Sequence, residues 1–156
     1  MAIGGMGRDI DLNMKAGDSV KTTTSQYLVV GIEDTSTSAD STVYLAGAGS
    51  TPASTITSRN ALGIQQRFLS STSDVCTVRV MGRSKAKCAA SISVGAFVSA
   101  YEGASTTTFA GHIVAQAIGT VLTATSAKVV LGRALESGST NSVISVALLP
   151  TLLPIA

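Results

Sequence analysis

The chain has 156 residues, a formal net charge of +2, 45% hydrophobic residues and only 13% charged residues. A chain of this length buries roughly two thirds of its unfolded surface, so it can fold without a metal, cofactor or disulfide. The small net charge argues against the basic stripe of a nucleic-acid-binding protein. Scarce aromatic residues among many Ser and Thr favour β structure over a helical bundle.

Residues 1–14 are predicted to form an extended N-terminal arm. Glycines interrupt the start, and a cluster of Arg8, Asp9 and Asp11 follows. The apolar residues show neither the period of a helix nor that of a strand. A partner subunit is the simplest element that would hold such an arm. The start has no basic region followed by an apolar run, which predicts synthesis in the cytoplasm. The uncharged stretch 103–127 is too polar for a membrane-spanning helix, so we expect strands and turns there and no membrane partner.

Residues 15–150 are predicted to form one mainly β domain, a small β-barrel or β-sandwich-like unit built of hairpins. After a turn at 16–19, strands are expected at 26–32 and 43–45 from their Val, Tyr and Ile content. In 59–69 the apolar residues fall at helical spacing, but Gly63 interrupts them. A helix and a bulged strand therefore compete, and we favour the strand.

Residues 75–88 are predicted to form a hairpin with its turn at Gly82. Alternation on both sides of that glycine places Cys76 facing Cys88 on a buried face, and Arg79 facing Lys85 on the other. The outward face is either solvated or meets an acidic partner surface, and its candidate contact residues are Arg79, Arg83, Lys85 and Lys87. A cytoplasmic protein usually keeps such cysteines reduced, although the hairpin leaves a disulfide open.

A second hairpin, formed by 129–135 and 143–148, is predicted around a six-residue polar link. Ile144, Val146 and Leu148 recur at a period of two and define its buried face. The tail, residues 151–156, has no strand left to pair with. We therefore expect the apolar side chains of the tail, and Leu149 just before it, to be buried on a neighbouring subunit. The tail residues concerned are Leu152, Leu153 and Ile155.

The two parts of the chain, 15–82 and 90–150, resemble each other. Similar segments surround Gly17 and Gly95, Gly63 and Gly132, and Val75 and Val143, at separations of 78, 69 and 68 residues. Duplication of one β unit would explain these matches, and chance similarity is the alternative.

Residues that could carry catalysis or bind a cofactor are few. His112 lies between apolar residues without a nucleophile elbow, and the Ser-x-x-Lys match at Ser84 lacks its companion motifs. One His and two Cys cannot complete a four-ligand zinc site, and no phosphate-binding glycine loop is present. We therefore predict neither an enzyme nor a cofactor or metal site.

Five segments, in their order along the chain, carry a resemblance to a known family. They are Ala61-Leu-Gly-Ile-Gln, Ser73-Asp-Val-Cys-Thr-Val-Arg-Val-Met-Gly-Arg-Ser-Lys-Ala, Ile92-Ser-Val-Gly-Ala-Phe-Val-Ser-Ala, and Val130-Leu-Gly-Arg-Ala-Leu-Glu with Val143-Ile-Ser-Val-Ala-Leu-Leu-Pro. In this order they resemble the small capsid decoration, or cement, proteins of tailed bacteriophages. Ala96 departs from the family's pattern, which usually has Asp after the glycine.

The resemblance implies a non-enzymatic structural protein of the virion. Such a protein is made in the host cytoplasm, sits on the outer capsid surface, contacts the major capsid protein and often forms a homotrimer. Two other readings of the sequence remain, a β-rich fibre or adhesion module and a small β-barrel hydrolase with an unrecognised site.

Overall fold

The protein is mainly β, as the sequence predicts, in a computed structural model that describes residues 9–21, 26–32, 42–47, 61–69, 75–101, 107–116 and 129–151. These ranges hold nine strands: β1 (Ile10–Ala16), β2 (Val29–Ile32), β3 (Thr42–Leu45), β4 (Ala61–Gln65), β5 (Val75–Lys87), β6 (Phe97–Ala100), β7 (Ile113–Gln116), β8 (Val130–Ala134) and β9 (Val143–Thr151). A one-turn helix, α1 (Asp18–Lys21), stands close to the predicted turn at 16–19, and a 3-10 helix spans Thr107–Phe109.

The first five strands close into a small barrel. Their order is β1-β3-β2-β4-β5, and pairing between β1 and β5 completes the ring. The β1–β3 pair is parallel, and the other pairs are antiparallel. Its interior is filled mainly by β-branched side chains, which suit a pleated and buried surface; Val30, Val43 and Val78 have 0% exposure. The strands predicted at 26–32, 43–45 and 59–69 are confirmed as β2, β3 and β4.

A second barrel is built from the end of β5 and the last four strands. The order is β5-β9-β8-β6-β7, and a single parallel bridge between Cys88 and Ile113 joins its two ends. Ala86, Val98 and Val146 fill its interior at 0% exposure. The predicted closing hairpin is confirmed as β8 and β9, and its predicted buried face is correct, since Ile144 and Leu148 are also buried.

The predicted hairpin at 75–88 is wrong, because β5 is one continuous strand of 13 residues. It pairs with β1 and β4 before Gly82 and with β9 from Gly82 onward. Gly82 has a φ of 102°, and a side chain there would collide with Asp9. The glycine therefore bends the strand from one barrel into the next instead of reversing it.

Continuous β5 separates the two cysteines that the hairpin would have paired. Both are buried on the predicted inward side, but Cys76 lies in the core of the first barrel and Cys88 in that of the second. Both are free thiols. Arg79 does not face Lys85, whose cross-strand partner is Ser145.

The predicted N-terminal arm is wrong for residues 10–14, which belong to β1. This strand runs antiparallel to β5 from Ile10 to Lys15, so the element that holds it is β5 of the same chain. Residues 1–8 lie outside the described residues.

The two barrels share one strand order and one register. Val30 pairs with Gly63 in the first and Val98 with Gly132 in the second, and after each pair the register shifts by one residue. Side chains at Gly63 and Gly132 would collide with the carbonyl oxygens of Arg79 and Ala147, which lie 68 residues apart. The paired strand positions of the first barrel therefore have equivalents in the second, 68 to 72 residues later.

Candidate functional site

The most distinctive surface of the second barrel is the outer side of the β5–β9 ladder. Because inward residues alternate with outward ones, the outward residues form two parallel rows. We call them together the outer β5–β9 face: Met81, Arg83, Lys85 and Lys87 on β5, and Val143, Ser145, Ala147 and Leu149 on β9. In the register, Arg83 lies beside Ala147, Lys85 beside Ser145 and Lys87 beside Val143. A row of cations thus runs along a row of small and apolar side chains.

One carboxylate stands at the margin of this face. The Glu136 carboxylate accepts hydrogen bonds from the Ser145 backbone N–H at 3.1 Å and from its hydroxyl at 2.9 Å. These bonds hold the pKa of Glu136 below its ordinary value. The nearest Arg83 nitrogen is 4.0 Å from Glu136, and the Arg83 side chain is 71% exposed. Glu136 therefore offsets the positive row only in part.

Arg79, the fourth predicted cation, is a structural residue. Its guanidinium pairs with Asp11 at 2.8 Å and with Asp9 at 2.9 Å, and it donates a hydrogen bond to the Arg83 carbonyl at 2.7 Å. The hydrogen bond from Arg79 is the main reason why the pKa of Asp11 lies below its ordinary value. Arg79 fastens β1 to β5 and is only 20% exposed, so the prediction that it contacts a partner does not fit its position.

Equivalent positions explain why the Asp11–Arg79 ion pair of the first barrel has no counterpart in the second. Asp11 and Arg79 are cross-strand neighbours in the first barrel, and Arg83 and Ala147 occupy the equivalent positions in the second. The first barrel neutralises its charges within the pair. The second barrel places Arg83 beside Ala147, which carries no charge.

The end of the outer β5–β9 face near Gly82 is apolar. Met81 is 38% exposed, and its partner on β1, Ile10, is 42% exposed. Leu149 is 55% exposed and follows Leu148, the partner of Gly82. These side chains form an exposed apolar end on three adjacent strands. Of the predicted tail contacts, Leu149 is described, whereas Leu152, Leu153 and Ile155 lie outside the described residues.

His112, the only histidine, is buried in the second barrel at 4% exposure. Its Nδ1 lies 3.1 Å from the Ala110 carbonyl oxygen, and the Phe109 ring packs edge-on against it. Burial lowers the pKa of His112, and the charge of Lys87 contributes in the same direction. These neighbours include no carboxylate that could orient the imidazole as a base.

The other reactive groups also lie in apolar surroundings. Burial raises the pKa of Cys76 to about 11 and also raises that of Cys88, so both thiols stay protonated and unreactive at neutral pH. Within the described ranges, no cluster of three His, Cys, Asp or Glu side chains could hold a metal ion.

Sequence reasoning missed the second outward face, on β6 and β8. Phe97 pairs with Arg133 across these strands, and the Arg133 guanidinium lies 4.2 Å from the centre of the Phe97 ring. No local pattern distinguishes these two residues. They become visible when the second barrel is aligned on the first, where the same positions hold Val29 and Ile64.

Comparison with known proteins gives no match among family models, curated proteins or solved structures. Among the described residues, no helix has both the length and the apolar character to cross a membrane.

Proposed function

We propose that this protein is a structural subunit of a virion, one that binds the outer surface of an icosahedral phage capsid and stabilises it without catalysis. The partner is the major capsid protein, and the bound form is a homotrimer, as the resemblance to decoration proteins implies. The observation that carries the proposal is the outer β5–β9 face, built from two of the segments that bear that resemblance.

The composition of this face suits a protein surface that contains acidic residues. Arg83 and Lys85 are exposed, and among the described residues the Glu136 carboxylate, 4.0 Å from the Arg83 guanidinium, offsets them only in part. Val143 and Leu149, at 44% and 55% exposure, supply apolar area on the same side. Such a mixture of apolar area and a few cations is typical of protein interfaces, and it is too weakly charged for a nucleic-acid backbone.

Stabilisation follows from mass action. A subunit that binds only the assembled lattice favours that lattice by RT ln(1 + [L]/Kd). Each contact can be weak, because three linked subunits raise the overall affinity by roughly 100- to 10,000-fold without any new contact type. Few cations take part, so binding is expected to weaken only mildly with salt.

The experiment compares purified capsids heated with and without the protein while genome release is followed by dye fluorescence. We expect a higher release temperature with the protein. Equal release temperatures, together with no binding in co-sedimentation, would contradict the proposal and leave the fibre or adhesion module as the better explanation.

A pair of charge reversals tests the face itself. Lys85→Glu on the outer β5–β9 face should lower capsid affinity by about tenfold or more, because like charges meet across the interface. Arg67→Glu is the matched control, since it makes the same charge change at an exposed residue of the first barrel. Equal affinities of the two variants would rule out this face as the contact.

A further inference from the structure

The contact between the two barrels of one chain shows how the first barrel packs against the second. Val29 and Ile64 pair on the outward side of the first barrel, yet both have 0% exposure. They belong to the same apolar cluster as the interior of the second barrel. Two hydrogen bonds flank this contact, from Gln66 Nε2 to Ser84 Oγ at 2.9 Å and from the Lys87 N–H to the Tyr27 carbonyl at 3.2 Å.

Among the described residues, the second barrel carries the equivalent face with its side chains still partly or largely exposed. Phe97 and Arg133 stand where Val29 and Ile64 stand in the first barrel, and Arg133 is exposed. Leu135 occupies the position equivalent to Gln66. The Leu135 backbone N–H donates to the Ser145 carbonyl, as the Gln66 N–H donates to the carbonyl of the equivalent residue, Thr77. Leu135 is 44% exposed.

The first barrel carries the complementary half of the same contact. Leu12 pairs with Val78 as Ser84 pairs with Val146, so Leu12 occupies the position equivalent to Ser84. Ser84 is 4% exposed and bonded to Gln66, whereas Leu12 is 37% exposed. The polar pair at the inner junction thus corresponds to two exposed leucines, Leu135 on the second barrel and Leu12 on the first.

We infer that the β6–β8 face of one copy, defined by Phe97, Arg133 and Leu135, binds the first barrel of a second copy of this chain through Leu12. The contact repeats the junction already present between the two barrels, with Leu135 against Leu12 in place of Gln66 against Ser84. Both leucines are hydrophobic, so neither leaves a buried polar group without a partner.

This interface is head-to-tail, since it joins unlike surfaces. Such contacts produce a closed ring when the rotation between successive units closes, and a filament when it does not. The inference goes beyond capsid binding, because it concerns purified protein in the absence of any capsid. Its failure would leave the proposed capsid contact on the outer β5–β9 face untouched.

Cross-linking of two single-cysteine variants tests the orientation. L12C and L135C are each prepared, then mixed and treated with a short bismaleimide, with the wild type as control because Cys76 and Cys88 are fully buried. We expect cross-linked dimers only in the mixture. Cross-linking within either variant alone would indicate like-to-like contact and overturn the inference, as would a mixture that stays monomeric.

Sedimentation equilibrium of the full chain measures the strength of the contact. L135E should raise the self-association Kd by roughly tenfold or more, because it removes the burial of the exposed part of Leu135 and places a charge in the contact. Mixing L135E with L12K should restore association, since the new charges attract. V75E is the matched control, because Val75 is 58% exposed and lies away from this face.

Circular dichroism confirms that each variant remains folded. A wild type that is monomeric at all concentrations, or an L135E variant that associates as strongly as V75E, would overturn the inference.

Discussion

Gly63 and Gly132 provide a quantitative test of the idea that both barrels obey the same packing rule. Neither has a positive φ, so the question is one of space alone. A Cβ at Gly63 would collide with the Arg79 carbonyl oxygen and lie 2.9 Å from Val78 Cγ1. A Cβ at Gly132 would collide with the Ala147 carbonyl oxygen and lie 3.0 Å from the Leu148 Cα.

Replacing either glycine with alanine should destabilise the protein. The neighbouring strand must move away, and such overpacking costs about 1–3 kcal/mol. The opposing gain from a less flexible unfolded chain is smaller, about 0.4–1 kcal/mol. For a chain of this length, a net loss of about 1–2 kcal/mol lowers the melting temperature by roughly 2–8 °C.

Thermal and urea unfolding of the two single variants and the double variant is the assay. The single losses should agree within about 0.5 kcal/mol, and the double loss should equal their sum, since the sites lie in different barrels. An unchanged melting temperature for one glycine, with a clear loss for the other, would refute the reasoning that the two positions are equivalent.

Three further outcomes are expected. His112→Phe should reduce the loss of stability on acidification. The folded state holds the pKa of His112 below its ordinary value of 6.5, so as the pH falls through 6.5 the unfolded chain takes up a proton that the folded chain does not. The wild type therefore loses stability in this range, and the variant should not. Melting curves at pH 8 and pH 5.5 check this, and equal pH dependence of both proteins would contradict it. Asp11→Asn should cost about 1 kcal/mol or less at pH 7, and the difference should vanish as the pH falls through the lowered pKa of Asp11; a difference that persists at pH 2 would show that charge is not the cause. Deletion of residues 151–156 should weaken self-association or capsid binding in co-sedimentation, and unchanged assembly would show that the tail is not buried on a neighbour.

The closing hairpin could be predicted from sequence, and the course of β5 could not. Around the 137–142 link, several consecutive polar residues leave the chain no means of continuing a buried strand, so reversal is the only reading. Around Gly82 the inward residues keep their alternation on both sides. That pattern is identical for a strand that turns back and for one that bends and continues. Only the availability of β9 as a partner decides between them, and that is a long-range property.

The candidate site could also be predicted only in part from the sequence. The exposed positions of Arg83 and Lys85 follow from strand alternation, which a sequence displays directly. The role of Arg79 does not, because its partner Asp11 is 68 residues away and lies in a segment with no periodic pattern. Charge pairing between distant strands is invisible until the register is known.

Comparison of the two barrels separates positions that the backbone requires from positions that it leaves free. The positions that match are those that the backbone requires, namely Gly63 and Gly132 and the register shift beside each of them. The charged positions of the two barrels, which face outward, differ. Where the first barrel neutralises Arg79 with Asp11, the second presents Arg83 beside Ala147.

The positions equivalent to the inner junction also differ between the barrels. Gln66 donates a hydrogen bond to Ser84 at the inner junction, whereas the equivalent residues, Leu135 and Leu12, are exposed. Leu12 and Leu135 are 37% and 44% exposed, so covering the exposed part of each would contribute about 1 kcal/mol. If a second copy covers both leucines, as we infer, the outer β5–β9 face remains available for a different partner.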